Sequence, residues 1–365
     1  MTGPRVTVVF LLYNAAGTTP ALVSALAHQQ RPGSARPGDW LQAIFMDDAS
    51  ADDTVDVLRR CMTEQGDPPH WRAVLNPTNL GLAATLNKAF SLVATPYALS
   101  CHLDCLFGDE SYVSRMVDLM EGHPKAGAIT GKPTIPAGGA LPFAEKVNLV
   151  ANLMDVLPDE SGDELVPVGF AEGRCDIFRM EALRAAGFYD TTLRTAGEDQ
   201  VLAARMRALG YEVFQAPALG YVLSVSEEQN TVGRLLRHQR LFGRAHPYIM
   251  LRTRNTSAGV AGARAGANRR ARLLLRVQQV GSTGALVLAL GLALAGAPLA
   301  AALLLGGVVL VKGALFRRHL AAVTPTLREC LAFFALQPFL DFSDTGGLAQ
   351  GLARLRSGSF ARPID

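Results

Sequence analysis

Short apolar runs alternate with amphipathic segments over roughly the first hundred residues of the chain. The run at 6–12 is continuously apolar and rich in β-branched residues, which is typical of a strand buried on both faces of a parallel sheet. The pattern predicts strands at 6–12, 41–46, 71–75 and 97–103 and helices at 18–29, 52–62 and 82–92. We therefore predict an α/β fold with a doubly wound, mostly parallel sheet.

Polar residues interrupt this pattern where the predicted strands end. Asn14 follows the first strand, Asp47 and Asp48 follow the second, and Asp104 follows the fourth. In open parallel sheets, ligands bind at the carboxyl ends of the strands. We therefore expect a binding site at this edge of the sheet.

Beyond residue 128 the alternation becomes irregular, although a helix is predicted at 198–209, where Gly210 ends it. A long apolar segment without charged residues follows at 282–311 and is interrupted by Gly296 and Pro298. Its length exceeds the roughly 20 residues of one membrane crossing, and basic residues flank both ends. The positive-inside rule favours a shallow membrane hairpin over one crossing. A buried hairpin of a soluble protein is the alternative.

A second apolar segment at 327–340 is short and broken by Pro338, and it is expected to form an interfacial helix packed against the hairpin. A second full span is the alternative. Charge is unevenly distributed: residues 229–328 contain 15 Lys and Arg and no Asp or Glu, although the whole chain has a net charge of only +3. We interpret this segment as a surface that meets anionic membrane lipids, and we expect no nucleic-acid partner. The five cysteines form no CxxC pair, and the first apolar run is too short for a membrane span, so the front half is expected to lie in the cytosol.

Asp47 and Asp48 are the strongest candidate binding residues of the front half. Carboxylates at a strand end accept hydrogen bonds from nucleobase N–H groups or ribose hydroxyls. Helix capping is the alternative, and it applies most to Asp48. Asn79, Gly81 and Asn87 surround the start of the next helix, where amide donors suit a diphosphate or a uracil edge, although ordinary turn chemistry also explains them.

His102 and Asp104 lie on the same side of the end of the fourth strand, because side chains alternate along a strand. That spacing suits a divalent cation that bridges the two phosphates of a nucleotide-sugar. A core histidine beside a capping aspartate is an equally weighted reading of His102. Cys101 and Cys105 are expected to be structural and buried.

Glu198 and Asp199 begin the predicted helix at 198–209. Acids in a first turn are favoured by the helix dipole alone, but Asp199 also suits the role of a base that takes the proton of an acceptor hydroxyl. Helical spacing puts Arg237, Arg240 and Arg244 on one face, where they suit either a phosphate or anionic lipid.

In chain order these motifs resemble those of the inverting family 2 glycosyltransferases of the membrane-associated bacterial type, which have the GT-A fold. The resemblance covers about residues 6–244 and rests on Tyr13 with Asn14, Asp47 with Asp48, Asn79 with Gly81 and Asn87, the segment 104–112, the element 173–179, and Glu198 with Asp199. Aligned on the family's metal motif, Asp104 is the second acid and His102 stands where the first acid is expected. The tryptophan of the processive signature is missing after Gln239 and Arg240. The resemblance therefore implies addition of a single sugar.

The implied activity is transfer of a hexosyl or deoxyhexosyl group from a nucleotide-diphosphate sugar to an acceptor hydroxyl, in cell-surface polysaccharide or lipid-linked glycan synthesis. Mg²⁺ or Mn²⁺ would be held by Asp104 and His102, and Asp199 with Glu198 would form the catalytic pair. The residues expected at the donor are Tyr13, Asn14, Asp47, Asp48, Asn79, Gly81, Asn87, Arg240 and Arg244.

Two other functions fit the same residues. A polyprenyl-phosphate sugar synthase has a phosphate acceptor that needs no strong base, and a catalytically weak membrane scaffold that binds nucleotide-sugar is favoured by the replacement of an acid by His102. We expect a catalytic domain at 1–248, a basic juxtamembrane linker at 249–280, and a hydrophobic hairpin with membrane-associated helices at 281–365. The expected location is the inner membrane, with the catalytic domain facing the cytosol.

Overall fold

A computed structural model gives the fold of the chain. It describes residues 3–34, 37–136, 141–152, 154, 164–171, 173–193, 196–225, 231–253, 263–323 and 325–357. Of the predicted basic linker, residues 254–262 lie outside the described residues.

The first four strands form the parallel half of one mixed sheet. They are β1 (Val6–Leu12), β2 (Leu41–Asp47), β3 (Trp71–Leu75) and β4 (Tyr97–His102), and they are joined by α1 (Thr19–Ala27), α2 (Thr54–Glu64) and α3 (Leu82–Ser91). The four strands pair in parallel in the order β3-β2-β1-β4. Every residue of β1 is buried, because this strand has a neighbour on each edge and apolar clusters on both faces. The predicted doubly wound arrangement is confirmed.

The second half of the sheet mixes strand directions. Its elements are β5 (Cys105–Phe107), α4 (Tyr112–Gly122), β6 (Ala126–Thr134), α5 (Phe143–Ala151), β7 (Val166–Pro167), β8 (Cys175–Arg179), α6 (Met180–Ala185), α7 (Glu198–Ala208) and β9 (Glu212–Leu223). β8 runs antiparallel between β4 and β6, and β9 continues the sheet parallel to β6. The hydrophobic pattern did not predict β6 or β9, because glycine, proline and polar residues interrupt both strands.

Apolar side chains cover both faces of this sheet. On one face Leu22 of α1 and Leu58 of α2 belong to the larger core cluster. On the other face Leu86 of α3 and Leu202 of α7 pack against residues of β1, β2 and β4. The carboxyl ends of the parallel strands are therefore held on a rigid scaffold that is packed from two sides.

Four long helices follow the sheet, namely α8 (Val232–Thr253), α9 (Ala263–Leu294), α10 (Pro298–Ala322) and α11 (Leu327–Arg356). α9 and α10 form the predicted hairpin, and its turn lies at Gly296, whose φ of +81° favours glycine. Each helix is long and apolar enough to cross a membrane, over Leu273–Leu294 and Pro298–Ala322, and only 17% of each segment is buried inside the protein. The hairpin is thus longer than the predicted segment 282–311, because both helices continue past its ends.

α11 extends well beyond the predicted segment 327–340 and runs through Pro338 without ending. A capping box begins it: the Thr326 hydroxyl accepts from the Glu329 N–H at 3.2 Å, and the Glu329 carboxylate accepts from the Thr326 N–H at 2.7 Å. The helix then packs along α8 and α9. The expectation of a short helix interrupted at Pro338 is therefore wrong, since tertiary packing supports α11 on both sides of the proline.

Two buried ion pairs join α11 to the hairpin. Lys312 of α10 lies 2.7 Å from the Asp341 carboxylate, and Arg276 of α9 lies 2.5 Å from the Asp344 carboxylate. Lys312 and both aspartates are almost fully buried. Because an unpaired buried charge is costly, these contacts bind α11 to α9 and α10 in one register.

Glycines bring the backbones of α8 and α11 into direct contact. A methyl group on Gly347 would collide with the carbonyl oxygen of Arg240, and one on Gly351 would collide with the carbonyl oxygen of Arg244. On the opposite helix, a methyl group on Gly243 would collide with the carbonyl oxygen of Asp344. Any larger residue at these positions would force the two helices apart.

Two neighbouring glycines of α11 provide a direct test of this contact. We expect Gly347→Ala to lower the unfolding temperature of the detergent-solubilised protein, with a loss of about 1–3 kcal/mol, because the new methyl group meets backbone that cannot rotate away. Gly346→Ala is the matched control, since a methyl group there meets no atom within 4 Å and alanine favours a helix. Equal unfolding temperatures for the two variants would contradict close backbone packing.

Candidate functional site

The carboxyl ends of β2, β1 and β4 lie side by side at one edge of the sheet. Asp47 at the end of β2 is paired with Leu12 of β1, and Leu11 is paired with His102 at the end of β4. Since neighbouring strands are about 4.8 Å apart, the backbones at Asp47 and His102 are separated by roughly 10 Å. The fold therefore brings the predicted binding and metal residues of the front half to the same edge.

Asp47 is 2% exposed and accepts hydrogen bonds from Ser50, from the backbone N–H at 3.1 Å and from the hydroxyl at 2.5 Å. The same turn binds Asn14, which adopts a left-handed conformation with φ of +49°. The Asn14 side chain accepts from the Ala51 N–H at 2.9 Å. Tyr13 stands beside it with 45% of its surface exposed, which leaves its ring available to a ligand.

Asp48 builds the loop that leads into α3. Its carboxylate accepts from the side chains of Asn76 and Thr85 and from the backbone N–H groups of Leu80 and Gly81, at 2.7–2.9 Å. Four donors occupy a carboxylate that is otherwise buried, so this acid shapes the loop. Its predicted contact with the nucleotide stays a prediction.

The remaining candidates near α3 also have structural partners. Asn79 donates to the Asp48 carbonyl at 3.3 Å, and Gly81 begins α3 with φ of +82°. The Asn87 side chain exchanges two hydrogen bonds of 2.9 Å with the backbone of Tyr189. Asn87 therefore ties α3 to the turn that precedes α7, and its predicted contact with the donor is untested.

His102 and Asp104 close β4 as predicted, with Asp104 in the turn directly after the strand. Burial lowers the pKa of His102, an effect that the Asp104 charge opposes and the Arg174 charge reinforces. Its Nε2 atom is buried and has no hydrogen-bond partner among the described residues. Burial alone would raise the pKa of Asp104, but the charges of Arg174 and His102 and the hydrogen bond with Cys105 together outweigh it, and the pKa lies below its usual value.

Arg174 is a charged residue of this site that the sequence analysis did not single out. It lies beside His102 in the sheet, because the His102 N–H donates to the Arg174 carbonyl at 2.9 Å. Its guanidinium is 3.6 Å from the Asp104 carboxylate and 3.2 Å from the carboxylate of Glu145, an acid of α5 that is 3% exposed. The element 173–179 pointed to this strand, but neither ion pair is visible in a linear sequence.

The described residues contain no group of three or more His, Cys, Asp or Glu that is arranged to hold a metal ion. His102 and Asp104 nevertheless offer a carboxylate and a buried imidazole nitrogen without a hydrogen-bond partner. These two groups fit a divalent cation whose other ligands come from a substrate and water. Cys101 and Cys105 are free and buried, as expected.

Glu198 and Asp199 open α7, directly after Gly197, whose φ is +84°. Glu198 is buried, one of its carboxylate oxygens has no hydrogen-bond partner in the described part of the chain, and burial raises its pKa to about 7. Asp199 is partly exposed and accepts from the Gln200 N–H at 2.7 Å. The two acids therefore differ in environment although they are adjacent in sequence.

Tyr189 lies near both Asp176 of the sheet and the pair Glu198 and Asp199 of α7. Asp176 of β8 is fully buried, lies opposite Ser100 of β4, and accepts from the Gly173 N–H at 2.7 Å. Burial raises the pKa of Tyr189 well above its usual value, and the charges of Asp176, Glu198 and Asp199 add to that effect. Acids of β8 and α7 thus surround one tyrosine, and the sequence analysis missed Asp176.

Arg240 and Arg244 lie on α8 where it crosses α11. The Arg240 side chain is exposed and donates to Gln350 at 3.4 Å. The Arg244 carbonyl faces Gly351 at the same crossing. The predicted contact of these arginines with a phosphate is untested.

Comparison with known proteins relates the front half of the chain to an enzyme family. Residues 7–185 match the family model described as glycosyl transferase family 2. The chain carries a family 2 glycosyltransferase domain. The matched residues include Asp47, His102, Asp104 and Arg174, whereas Glu198 and Asp199 follow the end of the match. No curated protein sequence matches the chain significantly.

Two solved structures resemble this glycosyltransferase to different degrees. A mannosyltransferase from Pyrobaculum calidifontis, solved with GDP-Man and Mn²⁺, is 17% identical and has a TM-score of 0.55 over 96% of this chain and 87% of its own. Residues 1–349 of TarS from S. aureus are 15% identical with a TM-score of 0.46, over 97% of this chain and 92% of that one. The first likeness, at this identity, shows the fold. The predicted GT-A fold and the use of a nucleotide-sugar donor are thereby supported.

The environment of Glu198 predicts a pH dependence of stability for the glycosyltransferase. Its pKa is raised in the folded state to about 7 from an ordinary value of 4.5, so its contribution to stability is fully present below pH 4.5 and is lost as the pH rises to 7. The complete loss is roughly 3 kcal/mol.

We expect Glu198→Gln to remove this contribution, so that the variant gains stability relative to the wild type as the pH increases from 4.5 to 8. Urea or thermal unfolding across this range measures the difference. Parallel stability curves for the two proteins would show that the carboxyl ionises freely in the folded state.

Proposed function

We propose that this glycosyltransferase moves a single sugar from a nucleotide-diphosphate sugar to an acceptor hydroxyl by one direct displacement, with inversion at the anomeric carbon. The observation that carries the proposal is the arrangement at one sheet edge of Asp47, His102 and Asp104 within the family 2 domain. In this proposal Asp47 binds the nucleotide, and the residues at the end of β4 bind the diphosphate of the donor.

The donor is held by the ends of β1 and β2 and by the loop before α3. Tyr13 is exposed at the end of β1 and offers its ring to the base, while Asn14 and Asp47 lie in the turn beside it. Asp48 works indirectly, since its four hydrogen bonds fix the loop that carries Asn79 and Gly81. Asn87, Arg240 and Arg244 complete the proposed donor site.

Asp104 and His102 are the residues that would hold Mg²⁺ or Mn²⁺. A bound cation of this kind neutralises charge on a departing diphosphate. Asp104 is suited to this role because its carboxylate remains ionised, and His102 because its lowered pKa leaves the imidazole nitrogen free of a proton at neutral pH. The packed strand below them holds both side chains in place.

Asp199 acts as the base that takes the proton of the acceptor hydroxyl. It is partly exposed at the first turn of α7, where a substrate can reach it, whereas the adjacent Glu198 is buried. A hydroxyl attacks the anomeric carbon effectively only if its proton leaves as the new bond forms. Glu198 and Tyr189 surround this base and set its charge environment.

The acceptor is a glycan or lipid-linked glycan at the cytosolic face of the inner membrane. Support comes from the two apolar helices α9 and α10, whose outward side chains include Leu288, Leu294, Leu303 and Leu310. Basic residues beside them suit anionic lipids. In this proposal residues 1–248 are catalytic, 249–280 form the juxtamembrane linker, and 281–365 attach the enzyme to the membrane.

Replacing the proposed base tests the mechanism. We expect Asp199→Asn to lower kcat by about 10²–10⁴-fold with little change in KM for the donor, because the amide cannot accept the hydroxyl proton. Asp118→Asn is the control, since that aspartate is exposed and pairs with Arg31 on α4's outer surface. Activity is measured with UDP-, GDP- and dTDP-sugars and with hydroxyl or prenyl-phosphate acceptors.

Each outcome of this experiment distinguishes one mechanism. Full turnover by Asp199→Asn removes this residue from the role of base. Turnover only with a prenyl phosphate identifies a polyprenyl-phosphate sugar synthase. Binding of nucleotide-sugar without any turnover identifies a membrane scaffold, and stereochemical analysis of the product decides whether the anomeric configuration is inverted.

A further inference from the structure

One guanidinium lies between two acids next to the proposed metal residues. Arg174 Nη1 is 3.6 Å from a carboxylate oxygen of Asp104, and Nη2 is 3.2 Å from a carboxylate oxygen of Glu145. The Arg174 side chain is 15% exposed, and Glu145 is nearly inaccessible. Three charges therefore share a region with little water, and the single cation compensates both acids.

The two terminal guanidinium nitrogens of Arg174 differ in their hydrogen bonding. Nη2 donates a hydrogen bond to Glu145, which also accepts from Asn148 on the same helix and is thereby held in place. Nη1 is buried and makes no hydrogen bond to any described residue, because 3.6 Å to Asp104 is too long for one. A buried charged donor without an acceptor is costly. Because Arg174 lies beside His102 at the end of β4, an oxygen of a substrate bound there could satisfy this nitrogen.

We propose that Arg174 binds a phosphate oxygen of the substrate through Nη1 while Glu145 holds Nη2. This inference rests on the proposed function, because it assumes that a phosphate reaches the end of β4. Glu145 is then a positioning residue, since it aims the guanidinium but does not touch the substrate. A planar guanidinium suits this task, as one edge is bound to the protein and the other faces the ligand.

Asp104 links Arg174 to the divalent cation. Without ligands, Arg174 compensates the charge of Asp104, because its Nη1 lies 3.6 Å from that carboxylate. If Asp104 held a divalent cation, Arg174 would keep its hydrogen bond with Glu145, and Nη1 would remain available to a phosphate oxygen. Arg174 therefore competes with a metal for Asp104 but cooperates with it in binding a diphosphate. Removal of Arg174 is therefore expected to favour binding of the metal but to weaken binding of the diphosphate. Loss of an arginine with a purely structural role would not produce these opposite effects.

Two basic residues near Arg174, His238 and Lys146, do not supply the same positive charge. His238 of α8 is close enough to Arg174 for their charges to interact, but burial lowers its pKa, and Arg174 lowers it further. His238 is therefore neutral at pH 7. Lys146, the residue after Glu145, is paired with Glu329 of α11 at 2.9 Å.

Binding measurements on the full-length protein in detergent micelles test the proposal. We expect Arg174→Gln to weaken binding of UDP, GDP or dTDP by about ten- to a hundredfold, with EDTA as well as with Mn²⁺, because a charged hydrogen bond to phosphate is lost. Binding of Mn²⁺ alone should stay equal or become tighter, since Asp104 loses its competitor. Arg174→Lys should weaken nucleotide binding less than Arg174→Gln does, because lysine keeps the positive charge although it lacks the planar pair of guanidinium nitrogens.

Arg31→Gln is the matched control, because Arg31 also lies between two acids, 2.9 Å from Asp118 and 3.9 Å from Glu121. The Arg31→Gln variant should bind both the nucleotide and Mn²⁺ with the affinity of the wild type. Calorimetry measures each binding constant, and circular dichroism shows whether each variant is folded. If Arg174→Gln does not fold, Arg174→Lys and Glu145→Gln carry the test, and both should weaken nucleotide binding without weakening Mn²⁺ binding.

A short-chain prenyl phosphate is titrated in parallel, because the phosphate group can belong to the donor or to an acceptor. Weaker binding of the nucleotide alone assigns Arg174 to the donor, and weaker binding of the prenyl phosphate alone assigns it to the acceptor. Unchanged affinity for both overturns the proposal. If the wild type itself binds no nucleotide, the proposed function fails, and that result is distinct from a failure of the Arg174 variants.

Discussion

The ion pairs of Arg174 with Asp104 and Glu145 are the interaction on which the candidate site depends. Two neighbouring carboxylates, of which Glu145 is buried and Asp104 is 29% exposed, repel one another. The guanidinium between them compensates this repulsion through an ion pair with each acid. It can do so only because β8 enters the sheet antiparallel to β4 and places residue 174 beside His102. The reversal of strand direction is thus part of the chemistry of the site.

The polar groups at this edge of the sheet fall into two kinds. Asp48 and Asn87 have their hydrogen-bonding capacity filled by the protein, and they hold the loop before α3 and the turn before α7. By contrast, His102, Arg174 and Glu198 each keep a buried polar atom without a hydrogen-bond partner among the described residues. At this edge of the sheet the second kind comprises the polar groups that a ligand could satisfy.

Sequence patterns predicted the front of the molecule well because its first four strands are continuous apolar runs with turn residues at their ends. The same reasoning placed Asp47, His102 and Asp104 at one edge, since parallel strands have their carboxyl ends in common. β6 and β9 escaped prediction because glycines, prolines and polar residues obscure their period. Arg174 escaped because its partner Asp104 is 70 positions away (174 minus 104), and only the fold brings the two together. The predicted helix break at Pro338 was wrong because packing of α11 against α8 outweighs the local preference of proline.

The glycine contact between α8 and α11 has a consequence for how the protein is made. α8 follows the sheet directly, but the helix that covers its glycine face is separated from it in the chain by both apolar helices. During translation α8, α9 and α10 are therefore synthesised before α11. Lys312 of α10 is likewise synthesised before its partner Asp341. The contact between α8 and α11 consequently forms only after both apolar helices have been made.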